Sequence, residues 1–537
     1  MLIIMSGRRV SPEIAHQFGM LPPSFLPLGQ GRLYSHQAKL ALGERCILTL
    51  PDDYEISSVD KAMLDQSNIE ILQQPETLPI RGAIAGVLDS LKPQENVRIL
   101  YGDTLVRMSN EDLLQGDIVA VKDSTANYLW AFAECDDTGA LMRFSEDPPK
   151  YQSTRRIVSG YFNFSDPEKL HAACVEDKIT GALNSYHQNK GLSLTEPEEW
   201  YDFGHLPLYF RSKRDMLTAR SFNEVKFEDG YTVKRSKKVA KIRAEANWYE
   251  NIPNRLRLHT PRYLGRAEGD YQAGYALEYV HHPLLADLHV FGELSLANWL
   301  EILRGCIDFL QECRNLRPQE FSPEASEEFA SDFFQDMYVR KTWGRLEHFS
   351  ETSGISLNQQ ITVNGTLLPS IKQVVTELLA EIPATSPDDI CMWHGDFFFG
   401  NIFYDFTAGR VICIDPRGQL SSGEQSLYGD YRYDLGKLAH SILGKYDKIV
   451  LGRSVLDEHT GFDWSIAVAS TSFDKEVEEI FFQQVSASFG LQKTELMAHM
   501  GLLFFTMLPL HEEAPQRQKM LLCSGLLAYA RLQGTKT

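Results

Sequence analysis

Short, mainly apolar runs punctuate the first part of the chain: Leu2-Ile-Ile-Met5, Cys46-Ile-Leu-Thr-Leu50, Ile69-Glu-Ile-Leu72 and Val97-Arg-Ile-Leu-Tyr101. The segments His36 to Leu42 and Ala83 to Leu91 between them have helical spacing. Strand-length runs alternating with helices predict an α/β fold with a largely parallel sheet over the first ~210 residues. Ile118-Val-Ala-Val121, Leu129-Trp-Ala-Phe132 and Ser159-Gly-Tyr-Phe-Asn-Phe164 predict further strands.

The pattern changes near Arg220. Strand-like Glu224-Val-Lys-Phe227 and Tyr231-Thr-Val-Lys-Arg235 flank Glu228-Asp-Gly230, an acid-Gly turn that predicts a hairpin. A helix is expected from Lys238 through Tyr249, ending before Ile252-Pro253, and another strand over Gly274 to Val280. From Ser295 to Leu316 and from Glu327 to Phe349 the period becomes helical, and helices resume near Leu435 and recur to the end. These changes predict three segments: 1–212, 213–285 and 286–537. A chain of 537 residues is indeed too long for one core.

Hydrophobic residues make up 43% and aromatics 11%, enough for packed cores throughout. The net charge of −19 sets the average field against a nucleic-acid backbone or an anionic membrane, so small ligands are the expected partners. Homo-oligomerisation is left open. The longest apolar stretch, Met500 to Leu510, is too short to span a bilayer and contains a proline; it reads as a buried helix. The arginines at 8 and 9 follow the first apolar run, the reverse of a secretory signal, so a cytoplasmic protein is expected. Eight cysteines without a Cys-x-x-Cys pair read as reduced core thiols.

The densest chemistry lies in Trp393-His394-Gly395-Asp396-Phe-Phe-Phe-Gly-Asn401, followed by Val411-Ile-Cys-Ile414 and Asp415. In a kinase site one carboxylate accepts the proton of the attacking hydroxyl, while an amide oxygen and a second carboxylate hold magnesium on the phosphates of ATP. Asp396, Asn401 and Asp415 are of those types, in that order and spacing; alternatively, they cap a turn and end a buried strand. A kinase also needs a phosphate-binding lysine fixed by a glutamate, and Lys234 on the second hairpin strand precedes Glu245 on the following helix.

Residues ~215–537 resemble the aminoglycoside phosphotransferase and choline kinase family. The resemblance implies a two-lobed, protein-kinase-like α+β domain with Asp396 as catalytic base, Asn401 and Asp415 as magnesium ligands, Lys234 on the ATP phosphates and Glu245 orienting it. It gives His394 a loop-shaping role. Gly429-Asp-Tyr-Arg-Tyr-Asp434-Leu-Gly-Lys-Leu resembles the segment that buttresses the active site, through Asp430 and Asp434, although Asp430 equally suits a helix cap. The first hairpin lacks Gly-x-Gly-x-x-Gly, which leaves Ser221 and Asn223 as phosphate contacts or as residues of a solvated turn.

In the first segment, Tyr101-Gly-Asp103 and Trp200-Tyr-Asp202-Phe-Gly-His205 each put an aspartate where a strand meets a loop, the place for ligands in α/β sheets. With Ser6-Gly7-Arg8, Gly82-Ala-Ile-Ala-Gly86 and Ser159-Gly-Tyr-Phe162, they resemble sugar-phosphate and phosphocholine nucleotidyltransferases of the glycosyltransferase-A type. That resemblance implies a Rossmann-like domain in which Asp103 and Asp202 hold magnesium, Gly7 and Arg8 meet the triphosphate, and Lys150 contacts the acceptor's phosphate. Joined, the two resemblances imply a bifunctional enzyme. It would phosphorylate a small alcohol, amino alcohol or sugar with ATP. It would then couple the phosphate to a second nucleotide, CTP favoured, releasing pyrophosphate and giving a precursor for capsule, surface glycan or lipid. The alternative is a kinase whose first domain only binds or assembles.

Overall fold

The computed structural model describes residues 1–126, 128, 130–147, 155–175, 178–218, 225–228, 230–267 and 273–536. The chain divides into two compact units, Met1–Met216 with Phe291–Glu293, and Leu217–Val290 with Leu294–Thr537.

The first unit is built on a nine-stranded sheet. Its central order runs Arg155–Phe164, Val97–Tyr101, Leu2–Met5, Cys46–Pro51, Ile69–Gln74, and the last four of these pair in parallel. Every residue of Leu2–Met5 and of Cys46–Pro51 is buried, which explains why these strands read as continuous apolar runs rather than alternating ones. The helix Ile80–Leu91 packs Ala83, Ile84, Val87 and Leu88 inward, at the spacing of a single helix face. Its residues join Ile3, Ile47, Ile99 and Phe162 in one core.

The expectation of a largely parallel sheet is corrected to a mixed one. Arg155–Phe164 runs antiparallel to Val97–Tyr101 on one side and to Ile118–Ser124 on the other. Leu141–Ser145 and Phe132–Cys135 form an antiparallel edge. Apolar runs report burial, whereas strand direction is set by connections that local periodicity does not contain. The strand expected over Leu129–Phe132 begins instead at Phe132, and Leu129 lies outside the described residues.

A separate two-stranded ladder, Thr104–Arg107 with Glu199–Asp202, places Asp202 directly opposite Thr104. Two aspartates about a hundred positions apart in sequence are thereby brought to one end of the unit.

The second unit opens with a four-stranded antiparallel sheet in the order Val225–Glu228, Tyr231–Ser236, Ala273–Glu278, Tyr263–Arg266, with the helix Val239–Asn251 between its second and third chain segments. A larger helical part follows. It includes Leu296–Arg314, Pro323–Phe333, Lys341–Ser353, Tyr431–Ile442, Lys493–Met507 and Pro515–Lys536. Phe334–Arg340 forms a π-helical segment between two of them, the kind of irregularity that frequently accompanies functional sites.

The later part of the chain is less uniformly helical than its periodicity suggests. Thr366–Leu367, Thr362–Val363, Asp463–Val468 and Ser454–Glu458 make a four-stranded sheet. Two-residue strands carry no period to detect. Met500–Met507 does lie in a buried helix, and no described helix is long and apolar enough to cross a membrane. All eight cysteines are free, and only Cys135 is not buried.

Candidate active sites

In the second unit, strand pairing puts Lys234 opposite Tyr275, and both side chains reach Glu245 on the helix Val239–Asn251. Lys234 Nζ lies 2.8 Å from Glu245 Oε2 and 3.0 Å from Asp415 Oδ1. The Tyr275 hydroxyl donates to the same Glu245 oxygen at 2.8 Å. Glu245 is 1% exposed, so this carboxylate is buried with its donors in place. Burial disfavours the Lys234 ammonium, but Asp415 and Glu245 overcome it and raise its pKa.

Asp415 follows the strand Arg410–Cys413 at φ +58°, a left-handed conformation uncommon outside glycine. The bond from the Ile414 N–H to the Asn401 carbonyl, 3.0 Å, ties this segment to the preceding loop. Gly418, three residues on, is forced by packing, because a Cβ there would stand 2.2 Å from the carbonyl oxygen of Ala244.

The loop carrying Asp396 is held from below by Asp434. Its two oxygens accept the His394 N–H at 2.8 Å and the Gly395 N–H at 2.9 Å. Gly395 sits at φ +77°, and a side chain there would collide with Arg417. Asn401 Nδ2 donates to the Asp396 backbone oxygen at 3.0 Å and to its Oδ2 at 3.3 Å, closing the five-residue step into a compact turn. Lys437 Nζ approaches Asp396 Oδ1 at 2.7 Å. Desolvation works against the Asp396 carboxylate, but Lys437 and Arg417 more than compensate and bring its pKa to about 2.

His394 is fully buried, and desolvation pushes its pKa down to about 4. Its Nδ1 accepts the Asp396 N–H at 3.3 Å. A neutral ring bonded to the loop backbone shapes the loop rather than moving protons. Asp430, by contrast, does not reach the loop; it caps the helix Tyr431–Ile442 through the Arg432 N–H and pairs with the Arg432 guanidinium at 2.6 Å.

Sequence reasoning brought forward Lys234, Glu245, His394, Asp396, Asn401 and Asp415, and the fold draws them together. It missed Lys437 as the partner of Asp396. Lys437 stands within the quoted segment Gly429–Leu438, but its burial in the helix Tyr431–Ile442 comes only from folding. Ser221 and Asn223 lie outside the described residues.

Residues 220–464 match the phosphotransferase enzyme family. No curated protein matches the chain. Among solved structures, the chain is similar to an aminoglycoside phosphotransferase bound to ADP and hygromycin B and to a putative fructosamine-3-kinase from Haemophilus somnus. The first is 13% identical over 55% of this chain and 85% of its own, with a TM-score of 0.32. The second is 11% identical over 60% and 96%, also with a TM-score of 0.32. An inositol-1-phosphate CTP transferase from T. maritima is 12% identical over 38% of this chain and 90% of its own, with a TM-score of 0.29.

The first unit contains a cavity of 890 Å³ whose lining includes Gly7, Arg8, Asp103, Asp202, His205 and Lys178. Desolvation, and then the charge of Asp202, raise the Asp103 pKa to about 6. Gly204 packs against that carboxylate so closely that a Cβ would stand 2.3 Å from Asp103 Oδ2. Asp202 accepts the Gly204 N–H at 2.9 Å, lies 3.1 Å from the His205 ring and meets Trp130 Nε1 at 3.3 Å. Hydrogen bonding to Asp202 raises the His205 pKa.

Arg8 lines the cavity, but its guanidinium donates to the Leu78 carbonyl at 2.7 and 3.1 Å, and Arg9 is paired with Asp53 and Glu76. His205 closes the quoted segment Trp200–His205 but was given no role there, and Lys178 lies in no quoted segment; folding brings both to the cavity. Lys150 lies outside the described residues.

Proposed function

We propose that the chain is a bifunctional enzyme in which the second unit phosphorylates a small hydroxyl compound with ATP and the first couples the resulting phosphate to a nucleotide, CTP favoured. The observation that carries the kinase half is the joined geometry of Lys234, Glu245 and Asp415 with Asp396 and Asn401. With a pKa near 2, Asp396 is ionised at neutral pH and can accept the proton of an acceptor hydroxyl as it attacks the terminal phosphate. Lys234, fixed by Glu245, serves the ATP phosphates, and Asp434 keeps the base-bearing loop in place.

Magnesium fits the donors present. Asn401 spends its amide nitrogen on Asp396, which leaves the amide oxygen for a cation beside the Asp415 carboxylate, a hard oxygen set. Bound there, it would neutralise charge on the transferred phosphate. In the first unit, Asp103 and Asp202 also suit a divalent cation, because burial and then the charge of Asp202 both disfavour the Asp103 carboxylate and a cation would offset them.

The coupling half is supported by the cavity that gathers Gly7, Arg8, Asp103 and Asp202. The two reactions are chemically consecutive, and an activated precursor for capsule, surface glycan or lipid is the product class proposed. A binding or assembly role for the first unit has one observation in its favour, the engagement of Arg8 and Arg9 with protein groups rather than open solvent. Phosphorus NMR with ATP, CTP and a panel of alcohols separates the readings. A phosphomonoester followed by a nucleoside diphosphate ester and pyrophosphate supports both halves. A phosphomonoester alone, with CTP, UTP and GTP all intact, favours the assembly role.

A further inference from the structure

We propose that the acceptor alcohol of the kinase is an anion, bearing a phosphate or carboxylate group that Lys341, Arg345, Arg417 and Lys437 receive beside Asp396. This rests on the kinase reading of that site.

The four cations come from three separate parts of the unit and converge on one loop. Lys341 and Arg345 lie one turn apart on the helix Lys341–Ser353, hence on one face. Lys341 Nζ donates to the Tyr433 hydroxyl and stands 4.7 Å from the centre of its ring. One turn along the Tyr433 helix is Lys437, whose Nζ contacts Asp396 and lies 5.7 Å from the Phe398 ring centre. Arg417 donates its backbone N–H to the His394 carbonyl at 2.8 Å and its Nε to Gln419 at 3.0 Å. Arg345 donates to the Thr506 carbonyl at 2.6 Å.

Among the described residues, Lys437 with Asp396 is the only ion pair within 4 Å that these four side chains make. That is an unusual concentration in a chain with a net charge of −19. Lys341 is 6% exposed and Lys437 is 5% exposed, so solvent supplies little of the missing counter-charge. Burial, together with Arg417, Arg345 and Lys437, holds the Lys341 ammonium well below its usual range. An arriving oxyanion would answer all of this at once, favouring the charged form of Lys341 and offering acceptors to two guanidinium groups.

The cluster is placed for the acceptor rather than for ATP. The nucleotide-side lysine, Lys234, pairs with Asp415, whereas these cations surround the base, and two of them lie on a helix remote in sequence from the nucleotide lobe. Cations placed beside the base disfavour a cationic acceptor such as choline or an aminoglycoside, because like charges repel.

The test is steady-state ADP release with size-matched acceptors: glycerol against glycerate and glycerol 3-phosphate, ribitol against ribitol 5-phosphate, with choline and ethanolamine alongside. The anionic member of a pair is expected to win by about tenfold or more in kcat/KM. Arg345→Gln, and separately Lys341→Met, should raise the acceptor KM by about tenfold while the ATP KM stays within about twofold, and Arg345→Lys should recover part of the loss. Melting curves check that each variant folds; Arg345 is only half-buried, so its variants carry the test if Lys341→Met does not fold. A neutral or cationic acceptor being preferred would overturn the proposal while leaving the kinase reading intact. So would variants that shift the ATP KM instead of the acceptor KM. ADP release with none of these acceptors would count against the kinase reading itself.

Discussion

Replacing Glu245 by Gln keeps the shape of a buried side chain and removes its charge. The carboxylate accepts from Lys234 and from Tyr275, each at 2.8 Å. At an effective dielectric of about 20, opposite unit charges 2.8 Å apart attract by roughly 6 kcal/mol. Most of that is cancelled by the cost of keeping the carboxylate dry, which the amide does not incur. The net worth of a hydrogen bond to a charged group is about 1.5–3 kcal/mol, and here Asp415, 3.0 Å from the same lysine, retains part of the hold. The expected loss is therefore about 1–2 kcal/mol in the positioning of Lys234. The variant should show a rise of roughly 5- to 30-fold in the ATP KM or in the ADP dissociation constant, with little change in the acceptor KM. Titration of nucleotide binding by calorimetry, with initial rates at saturating acceptor, provides both numbers. Unchanged ATP affinity with intact folding would refute the claim that Glu245 holds Lys234 for the phosphates.

Lys437→Met removes the main support for the ionised Asp396 and leaves desolvation to act. The acid limb of the kcat/KM profile should move up from near pH 2 toward the ordinary aspartate range or beyond, and a profile that does not move would exclude Lys437 from this role. The same depressed pKa contributes stability that is present above the unfolded aspartate value of about 3.9 and is lost as pH falls through about 2; since Asp396 is 35% exposed, about 1 kcal/mol is its upper share. Asp434→Asn turns one acceptor toward the His394 and Gly395 N–H groups into a donor, which should cost about 1–3 kcal/mol in unfolding free energy and roughly a hundredfold in kcat, read by melting and by rate. In the first unit, Asp103 must lose its proton to take a cation, so manganese affinity should fall as pH drops through about 6, followed by the fluorescence of Trp130 beside Asp202. Asp103→Ala should abolish that response.

The parallel half of the sheet was legible because strands such as Cys46–Pro51 are buried on both faces and leave an unbroken apolar run. Its antiparallel half was not, since the pairing of Tyr161 with Leu100 joins residues 61 positions apart. In the kinase site, the residues that could be read were those packed into a short segment with fixed spacing, Asp396 with Asn401, and those on a hairpin and its next helix, Lys234 with Glu245. Lys341 and Arg345 gave no such signal, because a basic pair at helical spacing ordinarily reads as a solvated face; only folding reveals that the face is buried against Tyr433. The same holds for His205, whose meaning depends on the Asp202 carboxylate that it touches.

The central claim is that Asp396 is the base of a small-molecule kinase. Phosphorus NMR of the wild-type chain and of Asp396→Asn, with ATP, magnesium and the acceptor panel, tests it most directly. The account predicts a new phosphomonoester resonance with stoichiometric ADP for the wild type, and a rate lower by about 10²–10⁴ for the variant, with nucleotide binding retained. Equal turnover by the two proteins would contradict it.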